Sequence, residues 1–318
     1  MRNTKGESME TFLQQTLNGL VSGSIYALVA LGYTMVYGIL GLINFAHGDL
    51  LMVGALVALQ TVSLLNAAVP GLHPAILLIA GMAVAVPVCM AVGYLIERIG
   101  YRRLRNAPRL APLITAIGVS FLLQTLAMII WGREFHVFPQ LVSTTPMEPM
   151  AGVVVSPLQI FTIVVAFALM GGLMLLVNKS RLGRAMRATA ENHRVAGLMG
   201  INANGVIAAT FIIGSGLAAL AGVLFASNYA IAHYAMGFTP GLKAFTAAVL
   251  GGIGNLPGAM VGGLVLGLVE SFGAGYIEHL TFGFLNSSYQ DIFAFVILGA
   301  VLIFRPSGLL GERVADRA

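Results

Sequence analysis

Long runs of apolar residues, separated by short polar segments, set the pattern of this chain. About 20 apolar residues in a helix are enough to cross the hydrocarbon core of a bilayer. The candidate spans are Leu17–Leu40, Leu50–Leu65, Ala75–Ile96, Pro112–Trp131, Leu158–Val177, Val206–Ala226, Phe245–Ile253, Ala259–Ile277 and Ile292–Phe304. The pattern therefore predicts an all-α polytopic membrane protein with about eight to ten transmembrane spans.

Two of these runs are short for a full crossing. Leu50–Leu65 is marginal, and Phe245–Ile253 covers about half of a bilayer. Both adjoin breaks that contain glycine, asparagine or proline. Irregular backbone survives at membrane depth only where protein or a water-filled cavity surrounds it. We therefore predict broken or re-entrant helices at both places, close to a transport pathway.

The segment Arg181–Ile201 carries four arginines and one acid in a chain that is otherwise almost uncharged. On a helix at about 100° per residue, one stripe holds charged residues and another holds small or apolar ones. The charged stripe is Arg184, Arg187, Glu191 and Arg194, and the apolar stripe is Ala185, Ala188, Val195, Ala196 and Met199. Glu191 is spaced to pair with Arg187 and Arg194. The pattern fits either an ordinary basic cytoplasmic loop or a docking helix for a soluble partner.

Composition supports a membrane environment. The chain has 318 residues, of which 58% are hydrophobic and 9% charged, and its mean hydropathy is +0.90. Soluble domains contain about 25% charged residues, so this chain is solvated by lipid. The net charge of +5 comes from arginines in short loops, which is not the continuous basic face of a nucleic-acid-binding protein. The single cysteine, Cys89, lies in an apolar run and is interpreted as a packing residue.

Arginine placement orients the chain, because cytoplasmic loops of membrane proteins carry an excess of Lys and Arg. The segments predicted to face the cytoplasm are Glu97–Arg109, Arg181–Arg194 and the tail with Arg305, Arg313 and Arg317. The segments predicted to face outward are Gly132–Pro157 and Glu278–Tyr289. The side of Met1 stays open, since it depends on whether Gly41–Gly54 crosses or re-enters.

The first apolar run is longer than the core of a signal peptide and no cleavage site follows it, so we treat it as a retained span. We divide the chain into a polar N-terminal segment (1–16), a single transmembrane domain (17–304) and a cytoplasmic tail (305–318). The transmembrane domain includes the cytoplasmic loop at 178–205. Within it, glycine pairs four residues apart (Gly19/Gly23, Gly258/Gly262 and Gly263/Gly267) predict close helix packing.

The break at Gly41–Asp49 places Asn44, His47 and Asp49 between two apolar runs. Asn44 or Asp49 is positioned to cap the following helix, whose N-terminus would then face an anionic group such as a carboxylate. The alternative is that these side chains only satisfy the backbone at the break. No metal site is predicted, because His47 and Asp49 have no third ligand close in sequence.

The break at Gly251–Gly258 is rich in glycine and holds Gly251, Gly252, Asn255 and Pro257. It lacks the Lys followed by Ser or Thr of a P-loop, so the chain is not expected to hydrolyse nucleotide. Lys243 nearby is expected to extend to the membrane interface. The acids Glu270 and Glu278 are assigned to span ends, which argues against a proton-coupled carrier. No nucleophile–base arrangement indicates an enzyme.

Four sequence blocks resemble the permease subunits of branched-chain amino-acid ABC importers, of the LivH type. The blocks cover nearly the whole chain in order and are Gly19–Ala55, Leu95–Arg105, Arg181–Asn202 and Gly241–Ser271. The resemblance implies the fold of a binding-protein-dependent importer permease in the bacterial inner membrane, with no cofactor. It also implies four kinds of partner: a paralogous permease, two cytoplasmic ABC ATPase subunits, a periplasmic amino-acid-binding protein and membrane lipid.

The resemblance further implies that Arg181–Ile201 is the helix that couples the permease to its ATPases. In the general importer pattern this loop reads Glu-Ala-Ala, three residues, Gly, and Ala190-Glu191-Asn192 with Gly197 or Gly200 correspond to it loosely. The expected coupling residues are Arg184, Arg187, Ala190, Glu191, Asn192, Arg194, Ala196, Gly197 and Gly200. The breaks supply the expected translocation path: Asn44, His47, Asp49, Gly251, Gly252, Asn255 and Pro257.

The expected function is translocation of leucine, isoleucine or valine, with Asn44 and Asp49 easing the zwitterion past the middle of the membrane. Affinity would reside in the binding protein, so an apolar path with little trapping suffices. Sister permeases for urea, short amides and sugars carry related sequences. A stand-alone secondary carrier and a membrane enzyme or scaffold are the remaining alternatives.

Overall fold

The computed structural model describes residues 4–105, 107–108, 110–150, 152–281, 289–305 and 307–311. The helices are α1 (Thr4–Leu40), α2 (His47–Ala68), α3 (Pro74–Leu95), α4 (Arg102–Leu104), α5 (Leu110–Trp131), α6 (Pro157–Lys179), α7 (Arg181–Glu191), α8 (His193–Leu198), α9 (Ala203–Tyr229), α10 (Phe238–Gly251), α11 (Leu256–Leu280) and α12 (Gln290–Phe304). A π-helical turn, Ile96–Tyr101, joins α3 to α4.

Four short strands complete the fold. They are β1 (His136–Val137), β2 (Met147–Met150), β3 (Val153–Val155) and β4 (Ile231–Ala232). β1 pairs with β4, and β2 pairs with β3, both in antiparallel order. These pairs fold the loops that follow α5 and α9 at one end of the helical bundle.

Within the described residues, seven helices are long and apolar enough to cross a membrane. They are Met9–Leu40, His47–Ala68, Pro74–Leu104, Leu110–Trp131, Pro157–Lys179, Ala203–Tyr229 and Leu256–Ile277. α10, with 14 residues, and α12, with 15, are shorter apolar helices. The predicted all-α polytopic membrane fold is confirmed, with seven helices of spanning length among the described residues where about eight to ten spans were expected.

The second span is a correction to the sequence analysis. Leu50–Leu65 was expected to be marginal for a crossing, but α2 has 22 residues because it begins at His47 and ends at Ala68. The polar first turn belongs to the helix itself. The short helix expected at Phe245–Ile253 is present as α10, although it begins earlier, at Phe238.

α1 and α9 form the interior of the bundle, whereas α3, α5 and α6 form its outside. In the most apolar stretch of each helix, 89% of α1 and 78% of α9 is buried, against 17% of α5 and 28% of α6. The outer helices are apolar all round, as expected for helices that face lipid. The functional elements are therefore arranged around α1 and α9.

Glycines bring α1 and α11 into backbone contact. A Cβ atom on Gly23 would lie 2.9 Å from the carbonyl oxygen of Gly263 and 2.9 Å from the Cα of Leu264. Such distances leave no room for a side chain, so the close approach requires glycine. The packing predicted from the spacing of Gly19 with Gly23 and of Gly263 with Gly267 is confirmed.

The first turns of α1 lie at the same end of the bundle as the loop after α5. The backbone N–H of Val154 donates to Gln14 Oε1 at 2.9 Å. The other end of α1 reaches α7, since Met35 and Ile39 share a cavity with Met186 of that helix. The start of α1 and the basic segment therefore lie at opposite ends, as three full spans before Glu97 require. Most of the segment Glu278–Tyr289, predicted to face outward, lies outside the described residues.

Candidate translocation and coupling sites

The basic segment after α6 forms two helices and not one. Ser180 caps α7, with its Oγ accepting from the N–H of Gly183 at 2.9 Å. Asn192 is extended (φ −159°, ψ 110°) and caps α8, its Oδ1 accepting from the N–H groups of Arg194 and Val195 at 3.0 Å each. The expectation of a continuous helix over Arg181–Ile201 is wrong, because the Asn192 side chain competes with the helical backbone hydrogen bonds.

The buried face of α7 is not the apolar stripe expected from sequence. Gly183, Met186 and Thr189 are the buried residues, and they recur at every third position. The charged stripe also behaves differently from expectation. Arg187 donates to the carbonyl oxygen of Val177 at the end of α6, and in the described part of the chain Glu191 forms no ion pair. Arg187 thus holds α7 against the end of α6.

The exposed face of the segment is apolar at α8. Val195, Leu198 and Met199 are 53%, 81% and 78% exposed. A shallow cavity of about 250 Å³ lies beside them, lined by Ala188, Glu191, Asn192, Val195, Ala196, Met199 and Ile201. Arg184, Ala190, Arg194, Gly197 and Gly200 are exposed, and Ala196 is buried. Of the expected coupling residues, Glu191, Asn192 and Ala196 therefore line this apolar surface, whereas Arg187 and Ala190 line a separate cavity beside Met186.

A second basic segment supports the start of α9. The Glu97 carboxylate is fully buried and pairs with Arg105 and, at 3.3 Å, with Arg102. Arg105 also donates to Asn204 Oδ1 in the first turn of α9. The pKa of His193 is lowered from its model-peptide value of 6.5, first by partial burial and then by Arg105. Arg102 and Arg105 thus have internal partners in addition to an orienting role.

The first break, between α1 and α2, is held by buried side chains. Tyr101 of the π-helical turn donates from its hydroxyl to Asn44 Oδ1 at 3.2 Å. α2 begins at His47, and its N-cap, Ala46, makes no side-chain capping bond. The expectation that Asn44 or Asp49 caps this helix is wrong, because Asn44 lies before the cap and Asp49 lies inside the first turn.

His47 packs against Gly32 and Tyr33 in the C-terminal half of α1. Its ring lies 4.9 Å from the Tyr33 ring in an edge-on arrangement. A Cβ on Gly32 would overlap the imidazole, so glycine is required there for His47 to fit. His47 Nε2 is buried without a hydrogen-bond partner among the described residues. His47 is therefore buried in the interior of this break.

The breaks before α2 and before α10 meet within the helical bundle. A Cβ on Gly48 would lie 2.7 Å from the carbonyl oxygen of Gly237 and 2.8 Å from the Cα of Gly241. Gly48 is in the first turn of α2, and Gly237 is the N-cap of α10. Sequence reasoning missed Gly237 and Gly241. Their signal was a Gly-x-x-x-Gly spacing, which is frequent in this glycine-rich chain.

A cavity of about 280 Å³ opens at this meeting point. It is lined by Tyr33, Phe45, Gly48, Asp49, Ile117, Ser120, Phe121, Gln124, Gly237, Phe238, Gly241 and Leu242. Asp49 is buried, and its Oδ1 accepts from Gln124 Nε2 at 2.9 Å. Among the expected path residues of this break, Asp49 lines the cavity, whereas Asn44 and His47 do not.

The second break is a tight turn at the far end of α10. Gly252 has a φ of +106° and Gly254 a φ of +97°, which glycine adopts without strain. Asn255 caps α11, its Oδ1 accepting from the N–H of Gly258 at 2.9 Å, and Pro257 follows in the first turn. Asn255 Nδ2 also donates to the carbonyl oxygen of Leu310 at 2.8 Å.

This turn is sealed by the chain after α12. The N–H of Leu309 donates to the carbonyl oxygen of Leu250 at 2.8 Å, and the N–H of Leu310 donates to that of Gly251 at 3.0 Å. The structure therefore does not bring Gly251, Gly252, Asn255 and Pro257 together with Asp49. They lie at the end of the bundle where α1 also ends, since Gly38 approaches Gly254.

Lys243 is buried inside the helical bundle, and the expectation that it extends to the interface is wrong. Its Nζ lies 2.6 Å from Glu270 Oε1 on α11 and 2.7 Å from Asp291 Oδ1 on α12. The hydroxyl of Tyr26 on α1 donates to Glu270 Oε2 at 2.9 Å. Glu270, expected at a span end, is instead buried within α11. We call Tyr26, Lys243, Glu270 and Asp291 the buried charge cluster after its three buried members, since the Asp291 side chain is 45% exposed.

Comparison with known proteins places the whole chain in one family. Residues 15–303 match the family described as "Branched-chain amino acid transport system / permease component". The chain is 48% identical to the high-affinity branched-chain amino acid transport system permease protein BraD of Pseudomonas aeruginosa, over 96% of this chain and 98% of that protein. It is 42% identical to the corresponding permease protein LivH of Escherichia coli K12, over 96% and 97% of the two chains.

A more distant relative and a solved structure also match. The probable branched-chain amino acid transport permease protein LivH of Methanocaldococcus jannaschii is 29% identical over 92% of this chain and 90% of that protein. A chain of PsaBC from Streptococcus pneumoniae in complex with Fab covers 93% of this chain and 92% of its own length. Its identity of 13% and TM-score of 0.46 are too low to support a structural argument.

The family match includes both breaks, the basic segment and the buried charge cluster, and it ends at residue 303, before the tail. Seven apolar helices of spanning length accompany it. The chain is therefore a multi-pass protein of a bacterial inner membrane and belongs to the family of permease components of branched-chain amino acid transport systems.

Proposed function

We propose that this chain is the membrane-spanning subunit of an ATP-binding cassette importer that carries leucine, isoleucine or valine across the inner membrane. The observation that carries the proposal is the end-to-end similarity, at 42–48% identity, to permease proteins of high-affinity branched-chain amino acid transport systems. The chain acts as a conduit and not as an enzyme. ATP hydrolysis belongs to separate subunits.

The partners follow from this function. Two cytoplasmic ATPase subunits drive the cycle, a paralogous permease completes the membrane core, and a periplasmic binding protein delivers the amino acid. The exposed apolar surface on α8, with Glu191 at its rim, supports docking of an ATPase at the segment after α6. Leu198 and Met199 are exposed in the single chain and would lose this apolar surface to water-free contact when an ATPase docks.

The path proposed for the substrate passes the meeting point of α2 and α10. Irregular backbone at membrane depth is stable where protein or a cavity surrounds it, and a cavity lies there. Asn44 and His47 do not line this cavity, and their contacts with Tyr101 and Tyr33 stabilise the break between α1 and α2. Gly251, Gly252, Asn255 and Pro257 then belong to the cytoplasmic end of the path, where they control how α10 joins α11.

A secondary carrier working alone is the second candidate, and the buried charge cluster is the observation in its favour. Ionisable residues within membrane-spanning segments often line proton or ion pathways. The ion pairs of Lys243 with Glu270 and Asp291 also fit a purely positioning role.

Affinity purification of the tagged chain in mild detergent separates the two candidates. The importer model predicts co-purification of two ATPase subunits and a second permease. Isolation of this chain with no ATPase, under conditions in which the related permeases retain theirs, would contradict the proposed function and favour the carrier.

A further inference from the structure

We infer that the cavity beside Asp49 is a transient subsite for a zwitterionic amino acid, with the Asp49 carboxylate as the counter-ion of its ammonium group. The inference rests on the function proposed above and identifies the residues that would meet the substrate. It concerns the 280 Å³ cavity between the start of α2, the middle of α5 and the start of α10.

The cavity combines apolar walls with a small polar corner. Phe45, Ile117, Phe121, Phe238 and Leu242 supply most of the surface. The polar corner is built by Asp49, Ser120 and Gln124, with Gln124 Nε2 lying 2.9 Å from Asp49 Oδ1 and 3.2 Å from Ser120 Oγ. A branched aliphatic side chain fits the walls, and a small charged group fits the corner.

Asp49 lacks a positively charged partner. Within the described residues no Lys, Arg or His forms an ion pair with it, and the neighbouring His47 ring is directed toward Gly32. The first turn of α2 and the Gln124 amide stabilise a carboxylate only in part. A buried carboxylate without a cation is costly, so the site gains free energy when a cationic group enters it.

The start of α10 offers the opposite charge to the same cavity. The N-cap of this 14-residue helix is Gly237, which has no side chain to cover the helix end, and Gly237, Phe238 and Gly241 line the cavity. A helix N-terminus carries partial positive charge and favours anions. The α-carboxylate of an amino acid would therefore face α10 while its ammonium group faces Asp49. The sequence analysis placed Asp49 on the path as a helix cap that orients a helix N-terminus toward a carboxylate, whereas here Asp49 itself faces the ammonium group and α10 faces the carboxylate.

The competing occupant is a lipid acyl chain. Phe121 and Phe238 are exposed, so the cavity opens on the surface of the single chain. An acyl chain would match the walls but would leave Asp49 without a partner. Charge complementarity at both ends of the cavity favours the amino acid.

Transport by the complete importer tests the charge of Asp49. Asp49→Asn keeps the shape and the hydrogen bond to Gln124 but removes the charge. In proteoliposomes that contain all subunits, we expect leucine uptake to fall about 10- to 100-fold, the range for loss of one charge-assisted hydrogen bond. Thr61→Ala, which removes a hydroxyl that bonds only within α2, is the control and should keep the wild-type rate. An unchanged uptake rate for Asp49→Asn overturns the inference.

Thiol labelling tests the same charge without any transport. Cys89 is the single cysteine, so Ile117→Cys in a Cys89→Ala background places one thiol on the cavity wall. We expect a methanethiosulfonate reagent with an ammonium group to react faster than one with a sulfonate group. Asp49→Asn in this background should reduce that ratio about tenfold.

The two experiments separate failure of the subsite from failure of the proposed function. If the complete assembly fails to transport leucine but Ile117→Cys still reacts faster with the ammonium reagent, the proposed transport function is contradicted. The cavity would then still be selective for cations. Equal labelling by both reagents, or a tightly bound acyl chain in the cavity of the purified complex, overturns the subsite even where transport is intact.

Discussion

Lys243 Nζ lies 2.6 Å from Glu270 Oε1, and this ion pair joins the short helix α10 to α11 inside the helical bundle. The same nitrogen reaches Asp291 of α12 at 2.7 Å, and Tyr26 of α1 bonds to Glu270. Four helices therefore converge on one buried lysine. α10 is too short to be positioned by its own length across the bilayer, so the cluster sets its depth and angle.

Replacement of Lys243 by Met should destabilise the protein. The change keeps the length of the side chain but leaves Glu270 buried without its cation, and breaking such a pair costs about 3–5 kcal/mol. We expect a clear fall in the midpoint of thermal unfolding in detergent. Lys179→Met, at an exposed position, is the matched control and should leave the midpoint unchanged. A double variant, Lys243→Met with Glu270→Gln, should recover part of the loss, and no recovery would argue against the ion pair as the cause.

Gly23→Ala should separate α1 from α11. The added methyl group meets backbone atoms of Gly263 and Leu264, which are unable to move aside as a side chain does. Overpacking of this kind costs about 1–3 kcal/mol, measurable as a lower resistance to chemical denaturation in detergent. Gly118→Ala is the control, because its added Cβ has open space. Equal stability of the two variants would contradict close packing at Gly23.

Leu198→Glu should weaken docking of the ATPase subunits. Leu198 is 81% exposed on α8, so a charge there is harmless to the isolated chain but unfavourable in an apolar interface. We expect less ATPase in the purified complex and an unchanged elution volume for the permease alone. Thr144→Glu adds the same charge at an exposed position in the loop at the other end of the bundle. Full retention of the ATPases by Leu198→Glu would exclude α8 as an anchor.

Acidification should loosen the junction of α8 with α9. The pKa of His193 lies below its usual value of 6.5 because of partial burial and Arg105, so the folded state favours the neutral ring. Its stabilising contribution is present above pH 6.5 and is lost as the pH falls through the lowered pKa. The protection factors of the amides at residues 193–205, which correct for the intrinsic pH dependence of hydrogen exchange, should fall below that pH. His193→Gln, which does not titrate, should abolish the dependence, and persistence of the effect would assign it to another group.

The sequence predicted the membrane helices well because apolar length is the direct requirement for crossing a bilayer. Close packing of α1 and α11 was also predicted from their glycine pairs, because glycines four residues apart allow two helix backbones to touch. The basic segment was identified as a unit, but the helix break at Asn192 was not. An asparagine in a helical pattern is ambiguous until its side chain is seen to bond to the next N–H groups.

The contacts between distant segments were beyond sequence reasoning. Lys243 was assigned to the interface because a lysine near a span end usually reaches the headgroups, and its partners Glu270 and Asp291 are 27 and 48 residues away. Asp49 was assigned as a cap because the start of α2 was set three residues too late. Gln124, its actual partner, belongs to α5, and no local pattern connects the two residues.

Leucine uptake into proteoliposomes tests the central claim most directly. The experiment compares the purified chain alone with the complete assembly, which contains both permeases, the ATPases and the loaded binding protein. Each sample is measured once with ATP inside the vesicles and once with an imposed proton or sodium gradient. The account predicts accumulation by the complete assembly with ATP only, at a rate insensitive to protonophores. Uphill accumulation of leucine by this chain alone, driven by an ion gradient without ATP, would contradict it.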